Sequence, residues 1–228
     1  PVEHHPEMCA ILDHPLILSL IGGVLGEYFN YCGGDRNYYT GDTGWHPDVE
    51  VGVNFVDLDN DGCQDIFVTN GHIYDNAEEI HEGVNTFSSY AQLNHCSLNL
   101  GDGTFTEVSS QSGSGFLINK VSRGGAFADY DNDGDLDILI TNSNQKLGLL
   151  RNDISNTNHW LTICIIGIQS NKDGIGTRIK ITIGRISQIR EVKSGSSYLC
   201  QSDMRLHFGL GGSASVNQIE VQWTNELV

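Results

Sequence analysis

A nine-residue acidic pattern occurs twice in this chain, with carboxylates at positions 1, 3, 5 and 9 and glycine at position 6. The first copy runs from Asp57 to Asp65 and the second from Asp129 to Asp137. Carboxylates this close together repel one another unless a cation joins them. Alternating oxygen ligands with a glycine that permits a sharp turn suit a hard cation such as Ca²⁺. Each copy therefore predicts a calcium-binding loop.

Apolar residues that follow both acidic loops indicate what the loops connect. Ile66-Phe67-Val68 follows the first loop and Ile138-Leu139-Ile140 follows the second. An EF-hand loop shares the opening of this pattern, but it has Glu at position 12 and lies between helices. Here position 12 is Val68 or Ile140, inside a β-branched run typical of strands. The two loops are therefore predicted to join strands.

The charge of the chain restricts its partners. Its 228 residues include 12 basic and 29 acidic side chains, which give a net charge of −17. An acidic protein of this kind is repelled by nucleic acid and by anionic membrane surfaces, so neither is an expected partner. The most apolar run, residues 15–24, is too short to span a bilayer. We interpret it as a strand, with the remnant of a signal segment as the alternative.

Turn residues and repeat spacing predict an all-β chain. Glycine is abundant (27 residues) and proline is scarce (4 residues), as in β proteins with many tight turns. The loops begin 72 residues apart (129 − 57), which is the size of a propeller-blade unit. We divide the chain into an apolar N-terminal segment (1–26), a calcium-binding propeller-like region (27–157) and a second β region (158–228). The second region has strand-like runs at 160–168, 178–183, 188–192 and 219–223 but no acidic loop, as in a compact sandwich or barrel.

The cysteine count favours an oxidising, extracellular setting. Six cysteines are scattered along the chain without a CxxC pair, so a zinc or redox site is not expected. As disulfide candidates they allow 15 pairings, between which their spacing does not choose. The six are Cys9, Cys32, Cys63, Cys96, Cys164 and Cys200.

Longer sequence segments resemble two known families. The stretches 55–62, 101–108 and 122–134 are similar to the FG-GAP repeats of calcium-binding β-propellers. The later segments Asn158-His159-Trp160-Leu161, 170–176 and Leu206-His207-Phe208-Gly209-Leu210-Gly211 resemble the ASPIC and UnbV domain of the cartilage acidic protein family and its bacterial relatives. The resemblance implies two propeller-blade-like repeats packed with a C-terminal β-sandwich-like domain. It also suggests that His159 and His207 are packing or turn residues.

The resemblance also implies a ligand set for two calcium ions. The side chains are Asp57, Asp59, Asp61 and Asp65 in the first loop and Asp129, Asp131, Asp133 and Asp137 in the second. The carbonyl groups of Cys63 and Asp135 complete the two sets. The family commonly has serine where this chain has Cys200, and Cys164 lies on a neighbouring predicted strand. This departure predicts a Cys164–Cys200 disulfide.

No motif for catalysis is present, since the sequence lacks GxSxG, Walker A, HExxH and a GxGxxG that follows a strand. We expect a secreted, non-enzymatic structural or adhesion protein. Two blades do not close a propeller, so their open edges favour self-association, with residues 15–21 donated as a strand to a neighbour in a fibre or filament. The alternative is an extracellular module that binds a glycan or a protein, with aromatic residues between Tyr28 and Trp45 as stacking candidates.

Overall fold

The computed structural model describes residues 52–72, 89–168 and 171–224, which contain twelve β-strands and two short 3₁₀ turns. The predicted N-terminal segment, with Cys9, Cys32 and the aromatic residues from Tyr28 to Trp45, lies outside these ranges. The strands are β1 (Gly52–Val56), β2 (Asp65–Thr69), β3 (His95–Asn99), β4 (Phe105–Glu107), β5 (Ser122–Ala128), β6 (Asp137–Asn142), β7 (Gly148–Leu150), β8 (His159–Ile163), β9 (Arg178–Ile183), β10 (Ile186–Glu191), β11 (Leu206–Gly211) and β12 (Gln218–Gln222).

The first acidic loop lies inside a four-stranded antiparallel sheet of order β1-β2-β3-β4, the arrangement of a propeller blade. In β1 the side chains alternate: Asn54 and Val56 are buried, whereas Val53 and Phe55 are exposed. All five residues of β2 are buried because this strand is internal to the sheet and apolar in sequence. Strands β3 and β4 form the next hairpin of the sheet.

The second acidic loop lies inside a three-stranded antiparallel sheet of order β5-β6-β7. Its position matches that of the first loop, because one loop joins β1 to β2 and the other joins β5 to β6. Phe67 of β2 is fully buried and makes edge-to-face contacts with Phe127 of β5 and with Phe116, at centroid distances of 5.8 and 6.0 Å. These aromatic contacts pack the two sheets against each other and hold both loops at fixed positions.

The remaining strands surround a second apolar core. They form a pair, β11-β8, and a three-stranded sheet of order β10-β9-β12. Ile179, Ile181 and Phe208 are fully buried in this core, and Leu161 of β8 packs against it. The two cores are separate clusters, as expected for a propeller-like region followed by a sandwich-like region. The predicted division between residues 157 and 158 stays a prediction.

The all-β class predicted from the sequence is confirmed for the described residues. Both acidic loops join strands, and the predicted C-terminal runs correspond to β8, β9, β10 and β12. Strand β11 is missing from that prediction, because two of its six residues are glycine. Within the described ranges, no helix has the length and apolar character needed to cross a membrane.

Candidate metal centre

Local backbone geometry shapes both acidic loops in the same way. Position 4 of each loop is asparagine and position 6 is glycine, and both positions have positive φ. The values are 60° at Asn60 and Asn132, 93° at Gly62 and 99° at Gly134. Asparagine and glycine tolerate this left-handed region better than other residues do, so the sequence pattern directly favours the turn.

Internal hydrogen bonds repeat between the loops. The carboxylate at position 1 accepts the glycine N–H of position 6, at 3.1 Å from Gly62 to Asp57 and 3.2 Å from Gly134 to Asp129. The carboxylate at position 9 accepts an N–H from position 2, and its second oxygen accepts one from an asparagine at the end of a later strand or just beyond it. These amides are Leu58 and Asn99 for Asp65, and Tyr130 and Asn152 for Asp137.

Carboxylate oxygens converge in both loops. Oxygens of Asp57, Asp59 and Asp61 all lie within 4.8 Å of one another, as do oxygens of Asp129, Asp131 and Asp137. Asp65 and Asp133 stand outside these two groups. The oxygens of Asp65 accept backbone N–H groups, and Asp133 accepts the N–H of Asp135 at 3.0 Å. The structure thus brings together three of the four predicted carboxylates in each loop.

Burial makes the first loop electrostatically costly without a cation. Asp57 is 3% exposed and Asp65 is fully buried. Burial, with repulsion from neighbouring carboxylates, raises the pKa of Asp57 to about 7, and burial raises the pKa of Asp65 to about 7. Burial also raises the pKa of Asp59. In the second loop, burial raises the pKa of Asp135 to about 6.

One oxygen in the first loop has no partner among the described residues. Asp57 Oδ2 accepts N–H groups from Gly62 and Gly209, both at 3.1 Å, whereas Asp57 Oδ1 is buried and accepts no hydrogen bond. A buried carboxylate oxygen normally has a donor or a cation. A hard cation held among Asp57, Asp59 and Asp61 supplies what this oxygen lacks, so the donor set fits Ca²⁺.

Distant residues also hold the first loop, and sequence patterns alone did not identify them. Gly209 of β11 donates its N–H to Asp57 from 152 residues away. Amide side chains that follow β7 reach the loop carbonyls: Asn152 donates to Leu58 O, and Asn156 and Asn158 donate to Asp59 O, at 2.8, 2.7 and 2.8 Å. The only local signal for these contacts is the abundance of asparagine between residues 152 and 158.

His207 is a packing residue with a defined polar contact. Its ring stacks on Trp160 at a centroid distance of 6.3 Å, and its Nε2 lies 2.6 Å from Asn60 Oδ1. Burial lowers the pKa of His207 to about 4, so the imidazole is neutral at pH 7. The prediction that His207 packs rather than ligates agrees with these contacts.

The predicted Cys164–Cys200 disulfide is wrong for this structure. All four described cysteines, namely Cys63, Cys96, Cys164 and Cys200, have free thiols. Cys164 is exposed just after β8, whereas Cys200 Sγ lies 4.0 Å from Thr141 Oγ1, beside the β5-β6 sheet. Because Cys200 packs on that sheet, the two thiols face different parts of the molecule. Cys63 is half-buried, and its N–H donates to Asp61 at 2.6 Å.

Comparison with known families agrees with this geometry. Residues 57–140 match the family model for the FG-GAP-like repeat, and residues 167–228 match that for ASPIC and UnbV. The resemblance seen in the sequence is therefore confirmed, and the acidic loops lie within or at the start of the FG-GAP-like match.

Curated relatives are similar to part of the chain. Cartilage acidic protein 1 of Mus musculus is 29% identical over 107 residues, which cover 44% of this chain and 16% of the mouse protein. The Xenopus tropicalis protein of the same name is 31% identical over 107 residues, with the same coverage. The Homo sapiens protein is 29% identical over 107 residues, or 15% of its length. The aligned stretch thus spans about one sixth of these relatives.

Proposed function

We propose that this chain is a non-enzymatic, extracellular protein in which two Ca²⁺ ions, one for each acidic loop, hold the blade hairpins in shape. The observation that carries the proposal is the buried Asp57 Oδ1, which accepts no hydrogen bond within the described structure and stands in a group of three carboxylates. The charge of −17 and relatives named cartilage acidic protein support an acidic matrix protein.

In this proposal the metal has a structural role. Asp57, Asp59 and Asp61 hold one ion, and Asp129, Asp131 and Asp137 hold the other. The outlying Asp65 and Asp133 and the carbonyl groups of Cys63 and Asp135 complete the proposed ligand sets. When bound, Ca²⁺ offsets the carboxylate repulsion within each loop. The binding free energy then adds to the free energy of folding.

Thermal unfolding with and without calcium tests the proposal. At a free Ca²⁺ concentration 100 times Kd, each site adds about 2.7 kcal/mol of stability. Two sites therefore raise Tm by about 10–20 °C in a chain of this size. The measurement is a circular dichroism melt in excess EDTA and in CaCl₂ at pH 7.5, with MgCl₂ as the ionic control. Equal melting temperatures in EDTA and CaCl₂ would refute the calcium sites.

Open sheet edges support self-association as the next level of the proposed function. Strand β1 is an edge of the first sheet and exposes Val53 (41%) and Phe55 (57%). We propose that residues 15–21, which lie outside the described ranges, add a strand to a neighbouring subunit and so build a fibre or filament. Deletion of residues 1–22 then yields a monomer by size-exclusion chromatography in calcium. Assembly that persists in the deleted chain would contradict strand donation.

A cleft favours a second candidate, an extracellular module that binds a glycan or a protein. The cleft is about 1000 Å³ and lies between β1 and the β10-β9-β12 sheet. It collects five of the 12 basic residues of the chain, three of them in ion pairs with acids of the same cleft. These are Arg178, Lys180, Arg190, Lys193 and Arg205. An acidic glycan that binds a calcium-loaded monomer on a glycan array favours this candidate over the filament.

A further inference from the structure

Asn60 connects the two acidic loops directly. It occupies position 4 of the first loop, between Asp59 and Asp61, and it is 1% exposed. Its Nδ2 donates to Asp135 Oδ1 at 2.7 Å and to Gly134 O at 3.2 Å, and both acceptors belong to the second loop. A residue flanked by two candidate ligands of one loop is therefore hydrogen-bonded to the backbone turn of the other.

The remaining polar atoms of Asn60 contact strand β11. Its Oδ1 lies 2.6 Å from His207 Nε2, and its backbone oxygen accepts the N–H of Gly211 at 2.8 Å. Since Nδ2 donates to a carbonyl and a carboxylate, Oδ1 is the acceptor and His207 carries its proton on Nε2. The orientation of the amide is thus determined by two parts of the chain, the second loop and strand β11, and rotation of the side chain breaks all three of its hydrogen bonds.

The equivalent asparagine of the second loop makes no such bridge. Asn132 has the same φ of 60°, but it is exposed, and its Oδ1 lies 3.4 Å from Arg205 Nη1 rather than near the first loop. The two loops are therefore alike in local conformation and different in their mutual contacts. This asymmetry provides a matched pair of positions for an experiment.

We propose that Asn60 is a positioning residue that makes calcium binding at the two loops positively cooperative. Ca²⁺ in the second loop orders Gly134 and Asp135, and these acceptors then fix Asn60 and the flanking Asp59 and Asp61. Ordering of Asn60 and the loop residues that it contacts costs conformational entropy only once. The second ion therefore binds a loop that is already ordered. The coupling is reciprocal: each loop raises the affinity of the other by the same factor. This inference rests on the proposed calcium sites.

Single-loop variants measure the coupling. Asp131→Asn weakens the second loop and reports the affinity of the first alone, and Asp59→Asn reports the affinity of the second alone. Isothermal titration calorimetry with Ca²⁺ alone gives these two constants and the two constants of the wild-type chain. We expect the product of the wild-type constants to exceed the product of the single-loop constants by about fivefold or more.

The bridge is then removed without changing the backbone preference. Asn60→Gly deletes the amide and keeps a residue that tolerates positive φ. In chains that carry Asn60→Gly, we expect the product of the two calcium-binding constants of the two-loop chain to equal the product of the single-loop constants, a ratio of about one. Asn132→Gly, the matched control, keeps the wild-type ratio. Asp135→Ala removes one acceptor of the bridge but keeps the backbone carbonyl of residue 135, which is the proposed calcium ligand. We therefore expect this variant also to lower the ratio, and it tests the bridge independently if Asn60→Gly folds poorly.

The outcomes separate the coupling from the sites themselves. Two independent sites in the wild-type chain, or a ratio that stays high in both Asn60→Gly and Asp135→Ala, would overturn the coupling and leave the calcium sites intact. A ratio lowered equally by Asn132→Gly would show that loop conformation is responsible rather than the bridge. Absence of calcium uptake by the wild-type chain would overturn the proposed function together with the coupling.

Discussion

The stability of the calcium-free protein should fall as pH rises, because the first loop buries carboxylates. Asp57 is 3% exposed, and burial, with repulsion from Asp65 and Asp61, raises its pKa from 3.8 to about 7. In the unfolded chain the pKa of this side chain is close to its ordinary value. Between about pH 4 and pH 7 the native protein therefore binds more protons than the unfolded protein does.

Proton linkage determines the sign and the size of this effect. A carboxyl group whose pKa is raised by folding destabilises the native state when it is ionised, and the full cost is present above its folded pKa. A pKa raised from 3.8 to about 7 corresponds to roughly 4 kcal/mol for Asp57. Asp65 acts in the same direction, but the two costs do not add, since each carboxylate repels the same neighbours.

Bound calcium should reverse the pH dependence of stability. Ca²⁺ favours the ionised carboxylates, and protons compete with it, so the calcium-bound protein loses stability as pH falls. Urea unfolding at pH 5, 6, 7 and 8, in metal-free buffer and in CaCl₂, measures both curves. We expect the calcium-free curve to fall toward pH 8, the calcium-bound curve to rise, and the gap between them to be widest at pH 8.

Two variants isolate the contribution of Asp57 from the general self-repulsion of an acidic chain. Calcium-free Asp57→Asn should be more stable than the wild-type chain at pH 8, by up to roughly 4 kcal/mol, and should depend less on pH. It should also gain little from calcium at the first loop. Asp173→Asn, at an exposed position, should retain the wild-type pH dependence. Calcium-free stability that rises from pH 5 to pH 8 would refute the reasoning.

Two further substitutions test the packing around the site. A methyl group at Gly209 would clash with the Asp57 carboxylate and would lie 2.7 Å from Asn60 Cα, so Gly209→Ala should cost about 1–3 kcal/mol and weaken calcium binding. Gly212→Ala, which has open space around it, is the control, and equal losses in the two variants would contradict this account. Phe67→Ala removes a fully buried ring between two sheets and should cost about 3–5 kcal/mol in urea unfolding. Phe55→Ala, at a 57% exposed position, should change stability by less than about 0.5 kcal/mol, and a similar loss at both positions would argue against the aromatic core.

The sequence predicts the acidic loops well because their determinants are local. Position 6 requires a residue that tolerates positive φ, and Gly62 and Gly134 meet that requirement. The apolar runs on either side determine that strands flank the loops. The position of each loop and most of its converging carboxylates therefore follow from nine consecutive residues and their neighbours.

The surroundings of the loops could not be predicted because they depend on the tertiary packing. Gly209 and His207 reach the first loop from about 150 residues away, and both lie on β11. The error over Cys164 and Cys200 has the same origin. Strand order suggests that the two cysteines are neighbours, whereas Cys200 packs beside Thr141 of another sheet.

The three asparagines after β7 have a consequence for how such chains can be cut and recombined. The two family matches cover residues 57–140 and 167–228, so Asn152, Asn156 and Asn158 belong to neither. Yet their amides satisfy the carbonyl groups of Leu58 and Asp59. A fragment that stops at residue 140 keeps the first acidic loop and loses these donors. A chimaera that takes residues 57–140 of this chain therefore keeps all the hydrogen bonds of the first acidic loop only when the connecting stretch is transferred with it.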